Sequence, residues 1–165
     1  MQLGRLMIDL CSGLGGASQS FKENGWEVIT IDNDPKFNPT ICADIKTLKG
    51  SDITKEKVLL VWSSPPCTYF SRYDQPGLYP NEPEPSTELV EHCLRIIKEL
   101  NPKYWVLENV RGSRQFITPL TRRPPKKCGA FWLWGNFPIF NPGHPNKGNW
   151  QHRRGPGIRG TAATR

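Results

Sequence analysis

The chain has 165 residues, 36% of them hydrophobic and 22% charged, with a net charge of +7; this length suits one domain whose core can stand without disulfides. No apolar run approaches the roughly 20 residues needed to cross a bilayer, and MQLGRLMIDL lacks the apolar stretch of a secretory signal, which points away from a membrane protein or a small secreted scaffold. Five cysteines with no CxxC pair, and three histidines in no ligand motif with them, predict no metal site and a reducing, cytoplasmic setting.

In chain order, Leu6–Leu10 is a short apolar run that predicts a buried strand. The glycine-rich turn CSGLGG follows, and ASQSFKENG predicts a helix ending at Gly25. Residues 27–31 (EVITI) predict a second strand closed by the acidic turn DNDP, and 40–43 a short third strand before Asp44. Residues 58–62 (VLLVW) predict a central strand that stops at Ser63-Ser64-Pro65-Pro66. Residues 72–85 predict a long irregular loop of the kind that binds ligands or closes over them. Residues 86–100 predict an amphipathic helix with Ser86 as N-cap and Leu89, Cys93, Ile96, Ile97 and Leu100 on one face. YWVL at 104–107 predicts a further strand ending at Glu108-Asn109. FWLWGNFPIF at 131–140 predicts an aromatic strand or a hairpin around Gly135-Asn136. Beyond Pro142 there is no periodicity, and loop or disorder is expected.

Charge divides the chain. Residues 1–110 carry eleven Lys or Arg against fifteen Asp or Glu, whereas residues 111–165 carry eleven Lys or Arg and no acid, with eight Gly and seven Pro. A mildly acidic core over 1–110 and a basic, loop-rich segment over 111–165 are expected, and the basic excess points to a polyanion partner such as nucleic acid. Strands alternating with helices predict an α/β protein with a parallel sheet and right-handed crossovers. Ligands of such sheets bind beyond the carboxyl ends of the strands. Asp9-Leu-Cys-Ser-Gly, Asp32, Asp44, Pro65-Pro66-Cys67 and Glu108-Asn109 all fall there.

Three constellations carry chemistry. Gly13, Gly15 and Gly16 let a turn approach a ligand closely at the start of a helix, and an acid about 20 positions on suits ribose hydroxyls. GLGG departs from the dinucleotide spacing, and no Lys-Ser or Lys-Thr follows it, so an adenosine ligand without a pyrophosphate fits best. Cys67, just past a buried strand and held by two prolines, is a rigidly presented thiol; a structural cysteine is the plain alternative. Glu108 at the end of an apolar strand is costly to bury without a partner, and can share a proton with a substrate nitrogen or pair with Arg111.

The ordered series DLCSGLGG, DND, AD, PPCTYFS and LENV over residues 6–110 resembles the cytosine carbon-5 DNA methyltransferase family, and the small size is similar to its short phage-type members. The resemblance implies a Rossmann-like S-adenosylmethionine-dependent methyltransferase fold with a mostly parallel sheet and a basic loop-rich C-terminal segment. It implies a cofactor site made by Asp9, Cys11, Ser12, Gly13, Leu14, Gly15, Asp32, Asn33, Asp44, Ile45 and Pro65. It also implies Cys67 and Glu108 as catalytic residues, with Pro66, Ser71 and Asn109 at the substrate. The cofactor would be S-adenosylmethionine and the substrate cytosine in DNA, on a base flipped out of the helix.

The chain departs from the family pattern at three points. Thr68 stands where the family usually has Gln. The family's Arg-x-Arg before the aromatic strand has no counterpart at Gly129-Ala130-Phe131, leaving Arg122, Arg123, Arg153 and Arg154 as candidates. The target-recognition domain has no counterpart, so the basic segment would replace its phosphate grip but not its base reading, and target choice would come from a protein partner or an oligomer. A non-catalytic nucleic-acid binder and an RNA cytosine methyltransferase remain alternative readings.

Overall fold

The computed structural model describes residues 4–75, 77–81 and 83–138. It contains a seven-stranded sheet, formed by β1 Leu6–Leu10, β2 Glu27–Asp32, β3 Ile41–Cys42, β4 Leu60–Ser63, β5 Tyr104–Asn109, β6 Lys126–Cys128 and β7 Phe131–Gly135, in the order β3-β2-β1-β4-β5-β7-β6. The first five strands are mutually parallel, and β7 runs antiparallel to both β5 and β6. The helices are α1 Gln19–Glu23, α2 Gly50–Ile53, α3 Thr68–Tyr73, α4 Glu88–Leu100 and α5 Arg114–Thr121. None is long and apolar enough to cross a membrane.

Strand β1 is buried at all five positions, as a central parallel strand covered on both faces must be. One sheet face sends Leu6, Ile8, Leu10, Ile31 and Val61 against Cys93, Ile96 and Ile97 of α4. The other sends Met7, Leu60 and Val106 against Phe21 and Trp26. A third cluster joins Phe70 of α3, Leu107, Ile117 of α5 and the fully buried Trp134. Fully burying an aliphatic side chain contributes about 1.5–3 kcal/mol, so these clusters fix the sheet that carries the strand-end residues.

The structure departs from the sequence expectations in four places. Helix α4 begins at Glu88 with Thr87 as N-cap; Ser86 Oγ still accepts from the Glu88 amide at 3.2 Å. The segment after Cys67 is the helix α3, which extends into the expected loop as far as Tyr73. Helix α5 was not expected, because Pro119 inside it reads as a breaker; the burial of Ile117 and a hydrogen bond from Trp134 Nε1 to Thr118 Oγ1 (3.2 Å) hold it to β7. The hairpin turns at Gly129-Ala130, where Cys128 pairs with Phe131, one strand earlier than Gly135-Asn136. Gly135 instead makes a close approach: with φ +153, a Cβ there would lie 2.0 Å from the Trp105 carbonyl oxygen. The expected end of that aromatic segment, and the chain after Pro142, lie outside the described residues.

Candidate active site

The turn after β1 is built on left-handed backbone. Cys11, Gly13 and Gly15 take φ of +57, +50 and +75, and the Ser12 amide donates to Ile31 O across the neighbouring strand (3.0 Å). Asp32 at the end of β2 ties this turn to its own loop: Oδ2 accepts from the Gly13 amide at 2.9 Å and Oδ1 from the Asp34 amide at 3.0 Å. Asp44 folds the loop after β3 in the same way, its Oδ1 accepting from the Lys46 amide at 2.9 Å.

Between these loops lies a cleft of about 300 Å³ lined by Cys11, Gly13, Asp32, Asn33, Asp34, Phe37, Asp44, Ile45, Ser64, Pro66 and Leu89. Six residues expected at the cofactor are here, namely Cys11, Gly13, Asp32, Asn33, Asp44 and Ile45. Pro66, expected at the substrate, also lines it. Asp9, Ser12, Leu14, Gly15 and Pro65 are not part of its wall; Leu14 is 92% exposed and Pro65 is buried. Four wall residues escaped the sequence reading: Asp34, Phe37, Ser64 and Leu89. Phe37 carried a local signal, an aromatic just after the acidic turn, in the 3-10 turn Pro35–Phe37. Leu89 carried none, since it belongs to the apolar face of α4.

Ser64, Pro65 and Pro66 lead from β4 to Cys67, which is exposed and sits at the N-cap of α3. The Cys67 carbonyl accepts from the Ser71 amide (2.9 Å), so Ser71 lies one turn along the same helix. Glu108 is half-buried at the end of β5 and is joined to this loop through Ser64, whose Oγ donates to Glu108 Oε2 at 3.0 Å. Asn109 is buried; its Nδ2 donates to Pro65 O at 3.0 Å and its Oδ1 accepts from the Val110 amide at 2.9 Å. The two strand-end motifs, 44 residues apart, are thus bonded twice. A further contact closes the unit: the 3-10 turn Arg111–Ser113 packs on α3 so tightly that a Cβ at Gly112 would lie 2.3 Å from Phe70 O.

Two titratable groups, one buried and one half-buried, lie at the base of the turn. Asp9 is 1% exposed and neither carboxyl oxygen has a hydrogen-bond partner among the described residues. Burial pushes its carboxyl up to about 6. A hydrogen bond with Cys93, followed by burial, pushes the Cys11 thiol well above the ordinary range, so Cys11 is a neutral wall residue rather than a nucleophile.

Among the candidate cations, Arg122 caps α5 with φ +51 and is exposed, as is Arg123; Arg153 and Arg154 lie outside the described residues. The sheet brings up another. Glu108 pairs with Leu133 and Leu133 with Lys126, which places Lys126 on Glu108's face of the sheet two strands away, with its Nζ 4.6 Å from the Phe137 ring centre. Arg114 lies over the Trp132 ring at 4.3 Å.

This arrangement has parallels. Residues 6–117 match the C-5 cytosine-specific DNA methylase family. The type II methyltransferase M.XorII of Xanthomonas oryzae pv. oryzae is 33% identical over 132 residues, covering 67% of this chain and 30% of that protein. A candidate DNA (cytosine-5)-methyltransferase of Frog virus 3 is 27% identical over 143 residues, covering 78% of this chain and 65% of that protein. The chain spans about a third of the length of the type II methyltransferases it matches first. Among solved structures, a candidate DNA modification methyltransferase from an E. coli prophage is 25% identical with a TM-score of 0.50, over 71% of this chain and 35% of that one. The Entamoeba histolytica methyltransferase EhMeth shares the fold with a TM-score of 0.60 at 15% identity, over 86% of this chain and 55% of that one.

Proposed function

The chain belongs to the C-5 cytosine-specific DNA methylase family, and we propose that it transfers a methyl group from S-adenosylmethionine to carbon 5 of cytosine in DNA. One observation carries this reading: a single loop, Ser64-Pro65-Pro66-Cys67, joins the cofactor cleft to both reacting groups. Ser64 and Pro66 line the cleft, Ser64 holds Glu108, and Cys67 follows Pro66 directly.

The cleft residues fit the cofactor. Asp32 is oriented by two backbone amides and keeps lone pairs for ribose hydroxyls, while Phe37, Ile45 and Leu89 offer apolar walls to an adenine ring. The chemistry of Asp34 and Asp44 suits the cationic and hydroxyl groups of such a molecule. When bound, S-adenosylmethionine supplies an electrophilic methyl group on a sulfonium.

The remaining steps belong to this chain's residues. The Cys67 thiolate adds to carbon 6 of cytosine, and the electron pair of the 5,6 double bond moves toward the ring nitrogen and makes carbon 5 nucleophilic. Glu108 hydrogen-bonds the ring nitrogen and stabilises the charge that develops there. After carbon 5 takes the methyl group, loss of its proton to a base or water lets the double bond reform and expels the Cys67 thiolate. Carbon 6 is inaccessible within the duplex stack, so the base leaves it for Cys67 to react. The eleven cations and no acids of residues 111–165 supply phosphate attraction with little base specificity; a protein partner or a second copy would supply target choice.

The test is transfer of labelled methyl to cytosine-containing DNA and RNA, with 5-fluorocytosine substrates as a trap. Transfer to DNA and a covalent adduct lost in Cys67→Ser are expected. Salt-sensitive DNA binding without transfer or adduct would overturn this reading in favour of a binding protein, and transfer to RNA alone would reassign the substrate.

A further inference from the structure

Trp62, Ser64 and Glu108 form a chain of hydrogen bonds whose direction is fixed by chemistry. Trp62 Nε1 lies 2.9 Å from Ser64 Oγ, and Ser64 Oγ lies 3.0 Å from Glu108 Oε2. An indole N–H donates and never accepts, and a hydroxyl has one proton to give. Ser64 Oγ therefore accepts from Trp62, and its proton goes to Glu108 Oε2. With Oε2 engaged by the Ser64 hydroxyl, Oε1 is the carboxyl oxygen turned to other partners.

The chain is anchored at Trp62 and at Ser64. Trp62 is a β4 residue in register with Asp9 of β1 and Val106 of β5, and its ring belongs to the apolar cluster on that face. The Ser64 amide donates to Leu10 O at 3.1 Å, which fixes the backbone that carries the hydroxyl. Ser64 also lines the cofactor cleft, so one hydroxyl borders the cofactor's side of the site and orients the carboxyl on the substrate's side.

We propose that Ser64, locked by the Trp62 indole, is a positioning residue that pins Glu108 Oε2 and presents Oε1 to the ring nitrogen of the substrate base. Turning the carboxyl plane away from Ser64 breaks this bond, so the relay restricts the orientation in which Glu108 meets the base. The proposal rests on the role given to Glu108 above, and adds to it Trp62 and Ser64, which neither bind nor attack the base.

The experiment measures kcat and the DNA KM at saturating cofactor for wild type, Ser64→Ala, Ser64→Thr, Trp62→Phe, the Ser64→Ala/Trp62→Phe double variant and Glu108→Gln, each checked by thermal melting. Ser64→Ala is expected to lower kcat about tenfold with little change in KM. Ser64→Thr keeps the hydroxyl and restores most of kcat. Trp62→Phe lowers kcat several-fold alone and has little further effect on the Ser64→Ala background, because the indole N–H reaches Glu108 through that hydroxyl. Wild-type kcat in Ser64→Ala, with turnover lost in Glu108→Gln, overturns the relay and leaves the Glu108 role standing. Additive effects of Trp62→Phe and Ser64→Ala overturn it as well. Full turnover in Glu108→Gln removes the role of Glu108 and the relay with it.

Discussion

Asn109 donates from Nδ2 to the carbonyl oxygen of Pro65 at 3.0 Å, out of contact with solvent. The bond joins the end of β5 to the loop after β4 and ends two residues before Cys67. With its Oδ1 taken by the Val110 amide, the side chain is committed to holding the proline loop. Asn109, expected at the substrate, is bonded to the loop that leads to Cys67.

Asn109→Ala leaves a buried carbonyl and a partly buried amide without partners, which costs about 1–3 kcal/mol each in protein mutants. Denaturant unfolding should show a loss of that order. Methyl transfer at a temperature where the variant remains folded should fall at least tenfold, with cofactor affinity retained because Asn109 lies outside the cleft wall. Undiminished turnover in a folded Asn109→Ala would show that the loop holds its shape without this bond.

Gly112 is the second fastener of the same unit. A methyl group there would meet Phe70 O at 2.3 Å and Asp74 Cβ at 2.7 Å, so α3 and the turn after β5 cannot both keep their places. Gly112→Ala should destabilise the protein by about 1–3 kcal/mol and expose the 67–75 segment to faster amide exchange than wild type. Protection of α3 equal to that of wild type would show that the turn yields instead.

Much of the site was legible because strand ends are legible. An unbroken apolar run such as Leu6–Leu10 has one good home, a strand covered on both faces, and a parallel sheet then brings Gly13, Asp32, Asp44, Cys67 and Glu108 to one rim without further information. The contributions that escaped notice depend on distant chain segments. Leu89 reaches the cleft because α4 packs on the sheet, and Ser64 meets a carboxyl because Glu108, 44 residues away, stands opposite it. Helix α5 was hidden by Pro119, whose local cost is outweighed by the packing of Ile117 and Trp134.

Asp9 makes stability fall with pH. Its folded-state pKa of about 6 lies above the ordinary carboxylate value of 3.8, so the folded protein binds the proton more tightly than the unfolded chain. The resulting stabilisation is complete below about pH 4 and is lost as pH rises through 6. Two units correspond to about 3 kcal/mol as an order of magnitude. Asp9→Asn, which is neutral throughout, should gain stability of that order at pH 8 relative to wild type and differ little near pH 4. Parallel stability curves for the two proteins between pH 4 and 8 would show that the carboxyl ionises in the fold without penalty.

Phe37 is the cleft residue for which the expected effect is on binding alone. It is half-buried in the 3-10 turn after Asp34, with Lys36 Nζ 4.6 Å from its ring centre, and it shares the cleft wall with Ile45 and Leu89. Stacking a nucleobase on an aromatic side chain is worth about 1–3 kcal/mol, which corresponds to at least a several-fold change in Kd. Phe37→Ala should therefore weaken S-adenosylmethionine and S-adenosylhomocysteine alike by about tenfold or more in calorimetric titration, because the two share the adenosine. The kcat at saturating cofactor should stay near the wild-type value, since Phe37 is bonded to neither the Cys67 loop nor Glu108. Phe37→Tyr, which keeps the ring, should bind within a few-fold of wild type. A loss of kcat without a change in Kd would move Phe37 out of the adenosine subsite and into the group of residues that hold the reacting loop.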